Sequence, residues 1–392
     1  MVIYLMTWAL RFRKGMAIAD KDCDCMNLLF FELIQVAIGR MDALSRVPSV
    51  EEWGALYGMS VKQAVAGVCF VGVQRLPKEQ IVEMPLQLKM QWFALAEQIR
   101  QRNEVMNRRC VEVQQMLARE GMGSCILKGQ GVAELYNLNL DLNLNLYRQS
   151  GDIDVWVDAS REWAIDYVMK TVPTREFDQK HIHFHVFEDV DVEMHWVPVK
   201  RDSPKFDRIL GEYFKKESSW QFANRSGEVC YPTVDFQLVH QLLHVYAHYV
   251  YEGVGLRQMM DLYFAQVALM KLAHEKRSEV LDMFDRLGLM KFVAGTQYVL
   301  NEVFGLEVDA LLCAPDEKEG QLLLTEIETG GNFGQYDKRN NVKDETFAHR
   351  ALRRFERRWR MVRFDPLGTI IMPFSRLRLE IWMRRVRRKY GV

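Results

Sequence analysis

Two aspartates one residue apart, in Gly151-Asp152-Ile153-Asp154-Val155-Trp156-Val157-Asp158, are the residues best spaced to do chemistry. Alternation at period two puts Asp152 and Asp154 on one face of a strand, with Ile153, Val155 and Val157 on the other, core-facing side. Two carboxylates held side by side repel each other unless a cation sits between them. Upstream, Ile126-Leu127-Lys128-Gly129-Gln130-Gly131 predicts a short strand that breaks at glycines into a helix over Val132 to Tyr136. Glycines there let backbone N–H groups approach an anion, with a helix N-terminus behind them. Downstream, Val190-Asp191-Val192-Glu193-Met194-His195-Trp196 predicts a second alternating strand, with Asp191, Glu193 and His195 on its polar face. A phosphate cradle, an Asp-x-Asp pair and a third carboxylate on a neighbouring strand are the parts of a metal-dependent nucleotidyl transfer site.

The order Leu127-Lys128-Gly129, then Gly151-Asp152-Ile153-Asp154, then Val192-Glu193-Met194-His195-Trp196 resembles the uncharacterised bacterial nucleotidyltransferase-like proteins of the DNA polymerase beta-type superfamily. The motif-bearing part runs from about Gly121 to Val199, with looser helical similarity from Met26 to Leu306. The resemblance implies an α+β fold: a small mixed β-sheet core flanked by N-terminal and C-terminal helical regions. It implies transfer of a nucleoside monophosphate from an NTP to a hydroxyl-bearing acceptor with release of pyrophosphate, and no particular substrate. On that reading Asp152, Asp154 and Glu193 are the catalytic residues and hold two Mg²⁺ ions about 3.5–4 Å apart. Lys128, Gly129, Gln130, Gly131, Arg148 and Gly151 meet the triphosphate. Asp191 shares a strand face with Glu193 and is the alternative third carboxylate; Glu193 is preferred as nearer mid-strand. Where relatives carry Arg-Pro before the Gly-Asp-x-Asp, this chain has Arg148-Gln149-Ser150.

These strands need a scaffold, and the 392 residues suffice for two or three packed units. The pattern divides into an extension (1–25), an N-terminal helical region (26–120), the strand-bearing core (121–200), a C-terminal helical region (201–310) and a loop with a basic amphipathic tail (311–392). Ser49 with Glu52 is a capping-box signature, and Val61 to Val73 reads as one buried helix. Pro85 opens a long helix through about Glu120, whose polar face carries Arg100, Arg102, Arg108 and Arg109. A solvated face is the preferred reading of those arginines over a nucleic-acid patch. Asn137 to Asn145 is an Asn/Leu-rich loop beside the site.

Apolar content of 49% and charge of 27% are those of an ordinary globular protein, and zero net charge makes the whole molecule no obvious polyanion binder. Seven scattered cysteines, with no Cys-x-x-Cys pair, point to a reducing cytoplasm. The apolar Met1–Leu10 precedes its basic cluster, the wrong order for a secretory signal, and no run approaches a membrane span.

Two histidine sets stand out. His181, His183 and His185 share a strand face but point in parallel roughly 6–7 Å apart, which converges poorly on zinc. A plain strand face is the first expectation, with His181 or His195 reaching substrate or phosphate as the next. His240, His244 and His248 form a stripe on a helix over Val234 to Tyr251; Gln241 replaces the glutamate of His-Glu-x-x-His, so helix packing is preferred to metal chemistry. The basic tail, Arg353 to Arg363 and Arg384 to Lys389 with interleaved aromatics, reads first as a packed terminal helix, then as a membrane-surface contact, then as a nucleic-acid contact. Two readings without turnover stay open beside the enzyme: a nucleotide-binding or regulatory module, and an RNA- or membrane-surface binder acting through that tail.

Overall fold

The computed structural model describes residues 21–137, 143–200, 203–337, 359, 362 and 366–392. The Met1–Leu10 segment, most of the Asn137–Asn145 run and part of the 311–392 loop and tail, including the arginines from Arg353 to Arg363 as a cluster, lie outside the described residues.

Among the described residues the first three helices are α1 (Lys21–Ala37), α2 (Val50–Lys62) and α3 (Ala66–Arg75). The capping box at α2 is complete, with Glu52 N–H donating to the Ser49 hydroxyl and Ser49 N–H donating back to the Glu52 carboxylate. The single buried helix expected over Val61–Val73 is instead broken, because Ala64 takes a left-handed φ of 56° between α2 and α3. The 34-residue α4 (Leu86–Arg119) follows, and Trp92 on it donates to Ala66 O at 2.8 Å. Two of its four polar-face arginines are paired with carboxylates. Arg100 pairs with Glu97 and Glu104, and Arg109 pairs with Glu112 and Asp189.

The sheet comes next: β1 (Ser124–Ile126), a short helix α5 (Gln130–Ala133), β2 (Ile153–Val157), α6 (Arg161–Thr171), β3 (His181–His183) and β4 (Val192–His195). Strand order is β1-β2-β4-β3, with β2 parallel to β4 and both outer pairs antiparallel, so the sheet is mixed. The α+β class read from the sequence is the one observed. β3 is shorter than its sequence pattern, ending at His183, and a connection over 184–191 leads into β4.

The remaining helices are α7 (Pro204–Ala223), a small hairpin of β5 (Arg225–Ser226) and β6 (Val229–Cys230), α8 (Val234–Tyr251), α9 (Leu256–Leu269), α10 (His274–Arg286), α11 (Met290–Phe304), α12 (Glu317–Gly330) and α13 (Pro366–Tyr390). Both sheet faces are buried. Ile153, Val155 and Val157 pack with Met194 against α4 and α6. On the opposite face Trp156 stacks on Phe236 at 5.6 Å and meets Phe214 and Phe222. An aromatic fixed by α7 and α8 therefore sits two residues from Asp154 on the same face.

The chain's two ends interlock. Gln35 on α1 donates to Val303 O, Gln63 donates to Ile327 O, and Lys62 donates to Glu328 O. On α13, Trp382 packs edge-on against Phe177 and Tyr390 donates to Asp166, while Phe374 (73% exposed) and Leu377 face solvent. Among the described residues no helix is long and apolar enough to cross a membrane.

Candidate active site

The parallel β2–β4 register sets Asp154 directly opposite Glu193 and Trp156 opposite His195. Directly opposed side chains on one sheet face lie about 4.5–5.5 Å apart at Cβ, so two carboxylates on separate strands converge. Leu127 N–H donates to Asp154 O at 2.9 Å, which carries Lys128 up to the same point. Lys128 Nζ lies 2.6 Å from Asp154 Oδ1. From the other side His195 Nε2 lies 2.9 Å from Asp154 Oδ1 and 3.2 Å from Glu193 Oε2, and His181 Nδ1 lies 3.1 Å from Glu193 Oε2. Asp154 is only 2% exposed and His195 fully buried.

Burial alone would raise the Asp154 carboxyl, but Lys128 and His195 overcome it and hold it well below the usual carboxylate range. Asp152 shows the opposite behaviour. Repulsion from Asp154, then burial, pushes its carboxyl up despite Lys128. Burial opposes charge on His195 as well, yet its hydrogen bonds to Asp154 and Glu193 raise it overall. His181 is driven down by burial and by its neighbour His195.

Apart from the fully buried His195, these groups line a cleft of about 390 Å³. Among the described residues, six carboxylates line it: Asp152, Asp154, Asp178, Glu193, Glu252 and Asp261. Four cationic side chains oppose them: Lys128, Arg148, Lys180 and Arg257. The acidic excess is concentrated at the sheet and suits a divalent cation. The ligating atoms of Asp154, Glu193 and His195 all lie within 4.8 Å of one another, and Asp152 joins them electrostatically, so the residues fit a metal centre.

Each residue singled out in the sequence has a definite place. Asp152, Asp154, Glu193, Lys128, Gly129, Gly151 and Arg148 line the cleft. Asp191 does not; its side chain is 74% exposed and lies 3.7 Å from His185. Gly129 adopts φ 54°, a conformation L side chains rarely reach, and turns the chain from β1 into α5. A Cβ on Gly131 would stand 2.4 Å from Ile126 O, so this glycine is required by close packing against β1. Gln130 donates to Asn107 on α4 at 2.5 Å, tethering the loop from behind. Arg148 is held by Asp261 through two 2.7 Å contacts, and Tyr136 donates its hydroxyl to the same carboxylate. The α8 histidines divide: His240 is buried beside Phe236, whereas His244 and His248 face the cleft. Burial depresses all three, and His248 Nδ1 lies 2.9 Å from Glu252.

The cleft also holds groups from outside the strand motifs. Arg257 on α9 is buried, its Nε has no hydrogen-bond partner, and burial together with Arg148 lowers its pKa to about 10. Phe333 arrives from a turn after α12, in a left-handed backbone at φ 54°, with its ring 5.0 Å from the Arg257 guanidinium and 4.8 Å from His248. Lys180 and Asp178 come from the loop before β3. In the chain, the Gly330-Gly331-Asn332-Phe333-Gly334 spacing marks a loop at Phe333, and Arg257 opens α9 where relatives also carry an Arg/Gln and an Asp, with a base-side or structural role left open.

Residues 49–305 match the family described as uncharacterised nucleotidyltransferases, and the chain belongs to it. Membership supports nucleotidyl transfer as the general activity and an NTP as substrate. Comparison with curated proteins and with solved structures gives no match. The family match ends one residue beyond α11, so α12 and Phe333 stand outside it.

Proposed function

We propose that the protein transfers a nucleoside monophosphate from an NTP to a hydroxyl-bearing acceptor, with Mg²⁺ held by Asp152, Asp154 and Glu193. The observation that carries this reading is the Asp154–Glu193 juxtaposition across parallel strands, with Asp152 driven up by its carboxylate neighbour. Bound Mg²⁺ supplies charge neutralisation at the phosphates and a more acidic acceptor hydroxyl. Glu193 accepts the proton of that hydroxyl, whose oxygen bonds to the α-phosphorus as the bond to the β-phosphate oxygen breaks and pyrophosphate leaves. Lys128 and the Gly129–Gly131 backbone meet the phosphates, and Arg148 and Arg257 add positive field from the opposite wall. Arg148, fixed by Asp261, does so without reorganising. His195 is a positioning residue that bridges Asp154 and Glu193. Phe333 flanks the cleft where the nucleobase would lie.

An acidic cleft repels a triphosphate until a cation is present, so NTP binding requires Mg²⁺. Calorimetric titration with each NTP, with and without Mg²⁺, tests this. Mg²⁺-dependent binding that Asp154→Asn abolishes is the expected result. Absence of binding by folded wild-type protein for every NTP overturns the proposal.

A further inference from the structure

A second group of ligating side chains gathers at the outer edge of the sheet. β3 is the edge strand, and the segment before it folds back alongside through an antiparallel bridge between Phe177 and Ile182. His183 N–H donates to Glu176 O at 2.9 Å, which sets Glu176 across from His183. His185 lies two residues on, past the end of the strand. Glu176 Oε2 stands 3.7 Å from His183 Nδ1 and 3.8 Å from His185 Nε2, and the three ligating atoms lie within 4.8 Å of one another. The two imidazole rings are near-parallel, 5.8 Å apart.

Those N···O separations are too long for hydrogen bonds, which run about 2.7–3.2 Å. Two ligands on one ion at about 2.0–2.1 Å and a tetrahedral angle stand roughly 3.4 Å apart. The observed spacing is thus nearer to that of groups sharing an ion. Sequence spacing argued against zinc because three histidines on one strand point in parallel. The structure removes that objection, since two histidines are joined by a carboxylate from the neighbouring segment. The outer nitrogens also face acids: His185 Nδ1 is 3.7 Å from Asp191, and His183 Nε2 is 3.8 Å from Glu193. At those distances the two acids add negative charge near the imidazoles without hydrogen-bonding to them.

We propose that Glu176, His183 and His185 bind a borderline transition-metal ion, Zn²⁺ being the best match, with water completing its coordination. Two imidazoles and one carboxylate select Zn²⁺ or Co²⁺ over Mg²⁺, which prefers oxygen ligands. The site is separate from the Asp152–Asp154 centre and touches it through one residue, because His183 stands between Glu176 and Glu193. An ion there places positive charge behind Glu193 and gives the nucleotide site a second metal input. Binding of that ion does not depend on whether nucleotide is transferred.

The test uses full-length, metal-stripped protein in excess Mg²⁺, titrated with Zn²⁺ alone by calorimetry and with Co²⁺ alone by visible absorption. One equivalent of Zn²⁺ is expected in wild type and in Asp154→Asn. His185→Gln and Glu176→Gln, both at half-exposed or exposed positions, should each weaken binding at least tenfold with unchanged circular dichroism. Absence of stoichiometric binding, loss of it in Asp154→Asn, or wild-type affinity in His185→Gln overturns the proposal.

Discussion

Asp152 and Asp154 are one residue apart and chemically identical, yet the structure assigns them opposite effects on stability. Asp154 is buried, with Lys128 at 2.6 Å and His195 at 2.9 Å. At 2% exposure it is no surface carboxylate of little structural weight. Asp154→Asn in metal-free protein strips a buried ammonium of its counter-ion, a change that costs about 3–5 kcal/mol. Lys128 stays in the field of Asp152 and Glu193, which places the loss at the lower end. At about 2 °C per kcal/mol, the thermal midpoint falls by roughly 6 °C. Asp152→Asn removes a repulsion instead, and should leave the midpoint unchanged or raise it. The pH dependence follows with a definite sign. Asp152 has a raised carboxyl in the folded protein, so its contribution is fully present below the ordinary Asp value of about 3.9 and is lost as pH rises through the folded value. Asp154 is depressed, so its contribution is present above the ordinary value and lost as pH falls. Thermal unfolding in EDTA at neutral pH, followed by circular dichroism, measures both variants. Equal midpoints for Asp152→Asn and Asp154→Asn would refute the reasoning.

Three further outcomes are expected. Asp261→Asn leaves Arg148 buried without its partner and should cost about 3–5 kcal/mol; a denaturant titration giving under about 1 kcal/mol would free Arg148 for a purely ligand-binding role. Phe333→Ala should weaken Mg²⁺–NTP binding by about 1–3 kcal/mol, the usual worth of one base–aromatic stack, while leaving pyrophosphate binding unchanged. An equal loss for both ligands in competition calorimetry would contradict stacking. Gly131→Ala forces a Cβ against Ile126 O and should destabilise by about 1–3 kcal/mol, seen as a lower denaturation midpoint at unchanged slope.

Local chemistry made much of this protein legible in its sequence. Period-two alternation placed Asp152 to Val157 on the correct faces, Ser49 and Glu52 fixed the start of α2, and the Val234–Tyr251 helix has the bounds its apolar spacing implies. What stayed hidden depends on pairings between distant residues. No periodicity says that β4 lies parallel to β2, yet that pairing makes Asp154 face Glu193. Arg148 lies 113 residues from the Asp261 that holds it, and Phe333 reaches the cleft from beyond a separate helix. The Glu176 partner of His183 is likewise set by a cross-strand bridge, not by spacing along one strand.

The clasp between the two ends of the chain also constrains how the protein is made. Gln35, Lys62 and Gln63 satisfy their polar groups on partners at Val303, Glu328 and Ile327, more than 260 residues later. During synthesis, α1 and α2 therefore emerge long before the helices that complete their packing. The contact of α1 with α11 must wait for that later helix, although α1 packs on α3 without it. Completing this part of the fold thus rests on contacts of large sequence separation, the kind whose loop-closure cost slows folding.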